Sequence, residues 1–510
     1  MKLLALALLL LGSLQDPADL LIRGATIVDG TGKEGKVGDV AVRGDAIVGV
    51  GEWKGGAKET IDGTGLVVAP GFIDLHSHSD QPILADGTRD NYNFTTQGCT
   101  TIVTGNCGGG NVDVAKMFES IEKNGAGTNV IHLLPHGAIR SRVFGSQDRA
   151  PTADELSRMK ALVERGMKEG AWGMSTGLIY NPGTYSKTDE IVELAKVVHE
   201  HGGIYASHIR SEGAKVLAAI DEALEIGEKS GCPVHVSHLK CSTKEAWGKM
   251  GEVVAKLEAA RAGGRKVTAD QYPYIASSTG LQSYTVPAWA LEGGKLPERL
   301  DHPEQGPKIR KEILENFEKR DGPDKILIAS CAKKPEYDGK TIDRIAKDTS
   351  RDPVDVVVEI LKLGGAQAIG FGMREDDMLL AMKKDWVATA SDGSARKPGA
   401  HPHPRNFGTF PRKVGLYAVE KKEVSLAFAV RSASGLPADI LGLKDRGYLK
   451  PGLKADLVVF DPAQFRDRAT FEDPNRYSTG ARWVLVNGVP VIADGKKTDA
   501  LPGKPLRPKG

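Results

Sequence analysis

The 510 residues predict an α/β protein, a (β/α)8 TIM barrel with a small β-sandwich built from both termini. Three observations lead there. Between residues 70 and 430, short apolar runs alternate with helix-period segments, the pattern of parallel strands joined by crossover helices. The flanks on either side hold strand-like runs and glycine turns with no helix-period segment between them. The predicted barrel strands also end in His, Cys and Asp, at the mouth where barrel enzymes carry their chemistry.

Residues 1–15 read as a signal peptide: Met1-Lys2, then a run of Leu and Ala to Leu11, then the small Gly12 and Ser13. The run is too short to span a bilayer, so the expectation is an exported protein, periplasmic or extracellular, with no stable membrane insertion once the signal is removed. Lys+Arg 68 against Asp+Glu 66, interspersed and without a basic block, argues against a nucleic-acid partner. Five cysteines are too few, and odd in number, to form a disulfide framework.

Residues 17–69 supply the N-terminal part of the sandwich through β runs at 20–29, 39–44, 46–51 and 66–69. Its C-terminal part, 431–500, has runs at 455–461, 481–488 and 490–495. Each flank is too short to bury a core alone, so the two are expected to pack together. The barrel occupies 70–430. Its first strand is Gly71-Phe-Ile-Asp-Leu-His-Ser-His-Ser-Asp80, followed by strands over 100–105, 129–135, 173–178, 204–208, 233–238, 266–272 and 387–392. Helices are expected over 152–168, where Thr152 and Glu155 have the spacing of a capping box, and over 188–201. An insertion of about 280–370 follows strand seven, with strand-like runs at 325–330 and 366–371. It is expected to lie over the C-terminal mouth as a lid.

Residues two apart in a strand share a face, so His76 and His78 can offer two imidazoles to one divalent metal. Strand two runs into Cys107, strand five ends in His208, strand six in His238 and strand eight in Asp392. All are metal-ligand types, and all fall at one barrel mouth. His132, His136 and His235 are left out. His235 stands three residues before His238, on the other face of its strand, and strand three has no partner motif. Composition and spacing alone point to a metal-dependent barrel hydrolase.

Several stretches together resemble the D-aminoacylase (N-acyl-D-amino-acid deacylase) branch of the amidohydrolase superfamily. They are the 71–80 motif, Gly105-Asn-Cys-Gly, Ser207-His-Ile-Arg-Ser-Glu-Gly, Ser237-His-Leu-Lys-Cys, Asp270-Gln-Tyr-Pro-Tyr, Ala390-Ser-Asp-Gly and His403-Pro-Arg-Asn-Phe-Gly-Thr-Phe-Pro-Arg. The resemblance covers nearly the whole mature chain and implies a barrel of the amidohydrolase type. It implies zinc-dependent hydrolysis of the linear amide of N-acyl-D-amino acids, with one tight zinc held by Cys107, His208 and His238. His76, His78 and Asp392 would surround a second, weaker metal position, with Asp392 as the catalytic acid and base. Arg405, Tyr272 and Ser278 would bind the α-carboxylate of the N-acyl amino acid, with Lys240 beside them. Many superfamily members bridge two metals with a lysine from strand four; here 173–178 has none, and a thiolate is a chemically adequate replacement. The run Gly393-Ser-Ala-Arg-Lys departs from the family pattern. The alternatives are a cyclic amidase of the hydantoinase or dihydroorotase type, or a non-catalytic binding protein of the same fold.

Overall fold

The computed structural model describes residues 16–508, so the segment read as a signal peptide lies outside the described residues. The two flanks meet edge to edge in one nine-stranded sheet. Ala18–Ile27, Lys36–Arg43, Ala46–Gly51, Ala57–Asp62 and Val67–Pro70 come from the N-terminal side. Leu457–Phe460, Ala481–Val486, Val489–Ala493 and Lys496–Lys497 come from the C-terminal side. The join is antiparallel, with Val68 opposite Val459 and Ala69 opposite Val458.

Period-two alternation explains why these strands are apolar on both faces. Val68, Leu457, Val459 and Leu485 share a core with Leu20, Ile22 and Val40. Their neighbours Val67, Ala69, Val458, Phe460 and Val484 belong to the large core of the barrel. The sheet thus closes over its own core and is fastened to the barrel by its other face.

The barrel has eight parallel strands: Phe72–Asp74, Cys99–Thr104, Asn129–His132, Gly173–Gly177, Ile204–His208, Val234–Val236, Val267–Gln271 and Val387–Thr389. The third continues past Leu133 as Leu134–Pro135, which pairs with Gly173–Gly177. Closure between the first and last strands comes from a parallel bridge of Ser77 to Gly393. Asp392 N donates to His76 O (2.8 Å) and His78 N to Gly393 O (2.7 Å). The peptide bonds that close the barrel therefore also set His76 and His78 beside Asp392.

Between the strands lie amphipathic helices such as Ala153–Glu169, which opens with a capping box of Thr152 and Glu155, and Thr188–Glu200. Inside the barrel, Ile73, Val103, Ile131, Ile204 and Ala388 pack with Leu436, Ala438 and Leu441. The last three belong to the helix Gly435–Leu441, which follows the helix Leu426–Ala433. The apolar residues of the barrel strands thus share a core with a helix that lies past residue 430.

Between strands seven and eight lies a three-stranded antiparallel sheet in which Gln367–Phe371 pairs with both Ala276–Gly280 and Ile326–Ser330. The insertion has a core of its own, including Ile309, Ile313, Ile328, Val357 and Ile360. Its first strand, Ala-Ser-Ser-Thr-Gly, carries no apolar alternation and is an addition to the two runs read from sequence. Among the described residues no helix is long and apolar enough to cross a membrane.

Candidate active site

Each ligand-type residue stands where its strand stops. Asp74 is fully buried and accepts hydrogen bonds from His76 N (3.1 Å) and Ser391 N (2.9 Å), which stitches strand one to strand eight just beneath the histidines. Cys107 sits on the turn after strand two. Gly105 is required there (φ 77°), since a Cβ would come within 1.9 Å of Leu133 O. Gly177, at the end of strand four, is required by close approach: a Cβ would lie 2.1 Å from Cys107 O. The strand that lacks a lysine is thus the one against which the cysteine turn packs.

The Cys107 Sγ lies 3.2 Å from His76 Nε2, 3.4 Å from His238 Nε2 and 3.6 Å from His208 Nδ1. A thiol has a single proton to donate and cannot satisfy three ring nitrogens. Nitrogen and sulfur donors around one tetrahedral zinc, at about 2.0–2.3 Å from it, are separated by roughly 3.3–3.6 Å. The spacing and the donor types fit a zinc ion. His76, His78 and Asp392 form a second group whose donor atoms lie within 4.8 Å of one another, with His78 Nε2 3.0 Å from Asp392 Oδ1. The sequence-predicted ligands are therefore all brought together, with the thiol adjoining both groups.

Electrostatics match that reading. Burial pushes the Cys107 thiol well up, so without a cation the thiolate is strongly disfavoured. Burial also pulls His76 down to about 4, which keeps its imidazole neutral and able to ligate. Burial alone would raise Asp392, but Arg405 above all, together with the neighbouring imidazoles, holds it well below the usual carboxylate range.

Supporting groups appear that the sequence reading did not assign. Glu212 Oε1 lies 3.1 Å from His238 Nδ1 and accepts from Lys240 Nζ (2.5 Å). Glu212 and Lys240 together hold the His238 ring from its Nδ1 side, so that Nε2 faces Cys107. Asp270 accepts from His238 N (2.6 Å) and lies 2.8 Å from His235 Nε2 and 3.5 Å from His76 Nδ1. His235 thus acts on the site only through Asp270. Among the other excluded histidines, His132 contacts Thr104 Oγ1 (2.8 Å) and His136 contacts Glu190 (2.9 Å). Both Glu212 and Asp270 stand inside the motifs quoted above, and that was the available signal.

The four predicted substrate residues adjoin the same mouth. Arg405 is buried, pairs with Asp392 Oδ2 (2.8 Å), donates to Ser278 O (3.2 Å) and stacks 4.7 Å over the Tyr272 ring. The Tyr272 hydroxyl is buried and has no partner. Lys240 Nζ lies 2.7 Å from His238 Nδ1 and 5.6 Å from the Tyr272 ring. A cavity of about 870 Å³ opens over Cys107, Tyr180 and Asp392, with Ser278, Ala329 and Gln367 of the insertion forming part of its wall. Arg396, in the loop that departs from the family pattern, lines the same cavity.

This arrangement has solved counterparts. Residues 59–492 match the Amidohydrolase family. The chain is 35% identical to a D-aminoacylase of Alcaligenes xylosoxydans xylosoxydans, over 96% of this chain and 98% of that one. It superposes with a TM-score of 0.84, at 33% identity and covering 96% and 100% of the two chains, on a D-aminoacylase described by its binuclear metal centre, with one-metal activation and second-metal attenuation. An N-acyl-D-glutamate deacylase from Bordetella bronchiseptica, in complex with zinc and a phosphonate mimic of the tetrahedral intermediate, gives 0.83 at 33% identity with the same coverage. With this coverage and the ligand cluster in place, the chain belongs to the amidohydrolase family, in its D-aminoacylase branch.

Proposed function

We propose that the chain is a metal-dependent hydrolase of the linear amide bond of N-acyl-D-amino acids, releasing a D-amino acid and a carboxylate. The observation that carries this reading is the Cys107 thiol set against three imidazoles, next to a buried Arg405 and Tyr272. Cys107, His208 and His238 would hold one tight zinc, and His76, His78 and Asp392 a second, weaker one. A zinc ion there supplies Lewis acidity, which lowers the pKa of a water and polarises an amide carbonyl. Asp392 takes the proton from the attacking water and returns it to the leaving nitrogen, since an amide anion is too basic to depart unprotonated. The D configuration is supported by the names of the relatives. A cyclic amidase of the lysine-bridged kind fits less well, because strand four, Gly173–Gly177, offers no lysine and Cys107 occupies the space beside it.

Purified protein should contain about one zinc per chain that survives dialysis, and a second only at raised zinc. Elemental analysis checks this, and a strong chelator should abolish turnover. An active preparation without metal would refute the reading.

Arg405, with Tyr272, Ser278 and Lys240 around it, binds the α-carboxylate of the N-acyl amino acid. A charge-assisted hydrogen bond of this kind contributes about 1.5–3 kcal/mol. Arg405→Ala should therefore lower kcat/KM on the order of a hundredfold for the acid, and much less for the matching N-acyl amino amide. Equal losses on both substrates would make Arg405 a support for Asp392 only. Export is part of the same proposal, on the strength of the charged and apolar leader at 1–15; N-terminal sequencing of the mature protein tests it.

A further inference from the structure

Arg140 and Arg405, both buried, have carboxylate partners, Glu190 (3.2 Å) and Asp392 (2.8 Å), and half-buried Arg412 has Asp467 (2.8 Å). Arg396, in the larger cavity, has no carboxylate partner among the described residues, and neither has half-buried Arg320. It caps the C-terminus of the insertion helix Gln305–Lys319 and lies 4.4 Å over the Tyr284 ring. Among the described residues no carboxylate pairs with its guanidinium. Its neighbour Asp321 is taken by Lys244, and Glu212, the acid nearest in charge effect, is engaged by Lys240 and His238. Burial lowers its pKa from the ordinary arginine value, a mark of desolvation without a compensating pair.

What Arg320 faces is the reaction centre. A narrow cleft of about 40 Å³ is lined by Arg320, Tyr284, Lys240, Tyr180 and the two carboxylates Glu212 and Asp392, which are already engaged by Lys240 and by Arg405. The cleft shares Tyr180, Ser278 and Asp392 with the larger cavity, so a substrate held by Lys240 and Arg405 has one substituent that can enter it. An uncompensated cation in a small, partly desolvated cleft favours a short anionic group over an apolar one, because it supplies the charge and the planar fork that a carboxylate needs. A bulky apolar side chain would meet both a lack of space and an unpaired guanidinium.

We propose that Arg320 is a specificity-determining residue that pairs the side-chain carboxylate of the substrate, so that the enzyme prefers N-acyl-D-amino acids with short acidic side chains. The proposal rests on the deacylase reading above and adds the substrate class to it. The Tyr284 ring lies against the guanidinium, and its hydroxyl is in turn held by Ser277 Oγ (2.8 Å).

The test compares N-acetyl-D-glutamate, N-acetyl-D-glutamine and N-acetyl-D-leucine on zinc-loaded protein. The native chain should prefer the glutamate to its isosteric amide by tenfold or more, on the order of what a charge-assisted pair contributes. Arg320→Met keeps an unbranched stem over Tyr284 and should collapse that ratio to near one; Arg320→Lys should keep part of it. Free D-glutamate should inhibit the native enzyme better than D-glutamine, and Arg320→Met should lose that difference. Circular dichroism and bound zinc establish that each variant is folded. A native enzyme that hydrolyses leucine or glutamine derivatives as well as the glutamate overturns the Arg320 assignment and leaves the deacylase reading standing. So does a ratio unchanged in Arg320→Met, or one that collapses instead in Arg396→Met. Absence of hydrolysis of every N-acyl-D-amino acid sinks both.

Discussion

Asp392→Asn should lower kcat by about a hundredfold or more while leaving the tightly bound metal in place, because positioned proton transfer supplies typically 10²–10⁴-fold. The substitution keeps the shape and most of the hydrogen-bonding capacity of the side chain. What it removes is the ability to take a proton and the charge opposite Arg405. The measurement is single-turnover hydrolysis alongside elemental analysis on the same preparation. Near-normal turnover would remove Asp392 from the acid and base role. Loss of all metal along with the activity would instead move it among the ligands of the tight site.

Cys107→Ala should lose metal and activity together. Its Sγ adjoins His76, His208 and His238, and removing it leaves the remaining imidazoles without the thiolate that neutralises the ion. The other four cysteines are buried and belong to neither group of candidate ligands, so they serve as contrasts. The Cys232 thiol, for example, lies in the hydrophobic core and donates to the backbone carbonyls of Ala195 and Gly203. Cys232→Ala should keep its zinc, while Cys107→Ala should not. Retention of a full zinc complement in Cys107→Ala would place the metal on the histidines and carboxylates alone.

The barrel was legible because its strands and helices are short, regular and separated by glycine, and because metal ligands cluster at strand ends. His-x-His needs only the period of a strand to be read. Other features depend on contacts that local sequence does not encode. The strand Ala276–Gly280 is built of small polar residues and gains its pairing from Gln367–Phe371, far along the chain. The union of the flanks into one sheet depends on the register of Val67–Pro70 against Leu457–Phe460, which alternation within either strand cannot fix. The helix Gly435–Leu441 lies past the expected barrel boundary yet packs with apolar residues of the barrel strands, a contact that strand–helix alternation does not reveal. Glu212 and Asp270 were visible as letters in the motifs, but their work is defined by the atoms they hold in place.

Cys107, His238 and Asp392 share a feature that most of the chain avoids. Their φ angles are 53°, 35° and 50°, in the left-handed region that costs a side chain with a Cβ of order 1–3 kcal/mol per residue. Glycine would sit there comfortably, yet each position bears a group the chemistry needs. The mouth of the barrel is therefore one of the places where the chain is held out of its conformational minimum. Substitutions chosen for stability alone would favour glycine at these three positions and would remove the groups the chemistry needs.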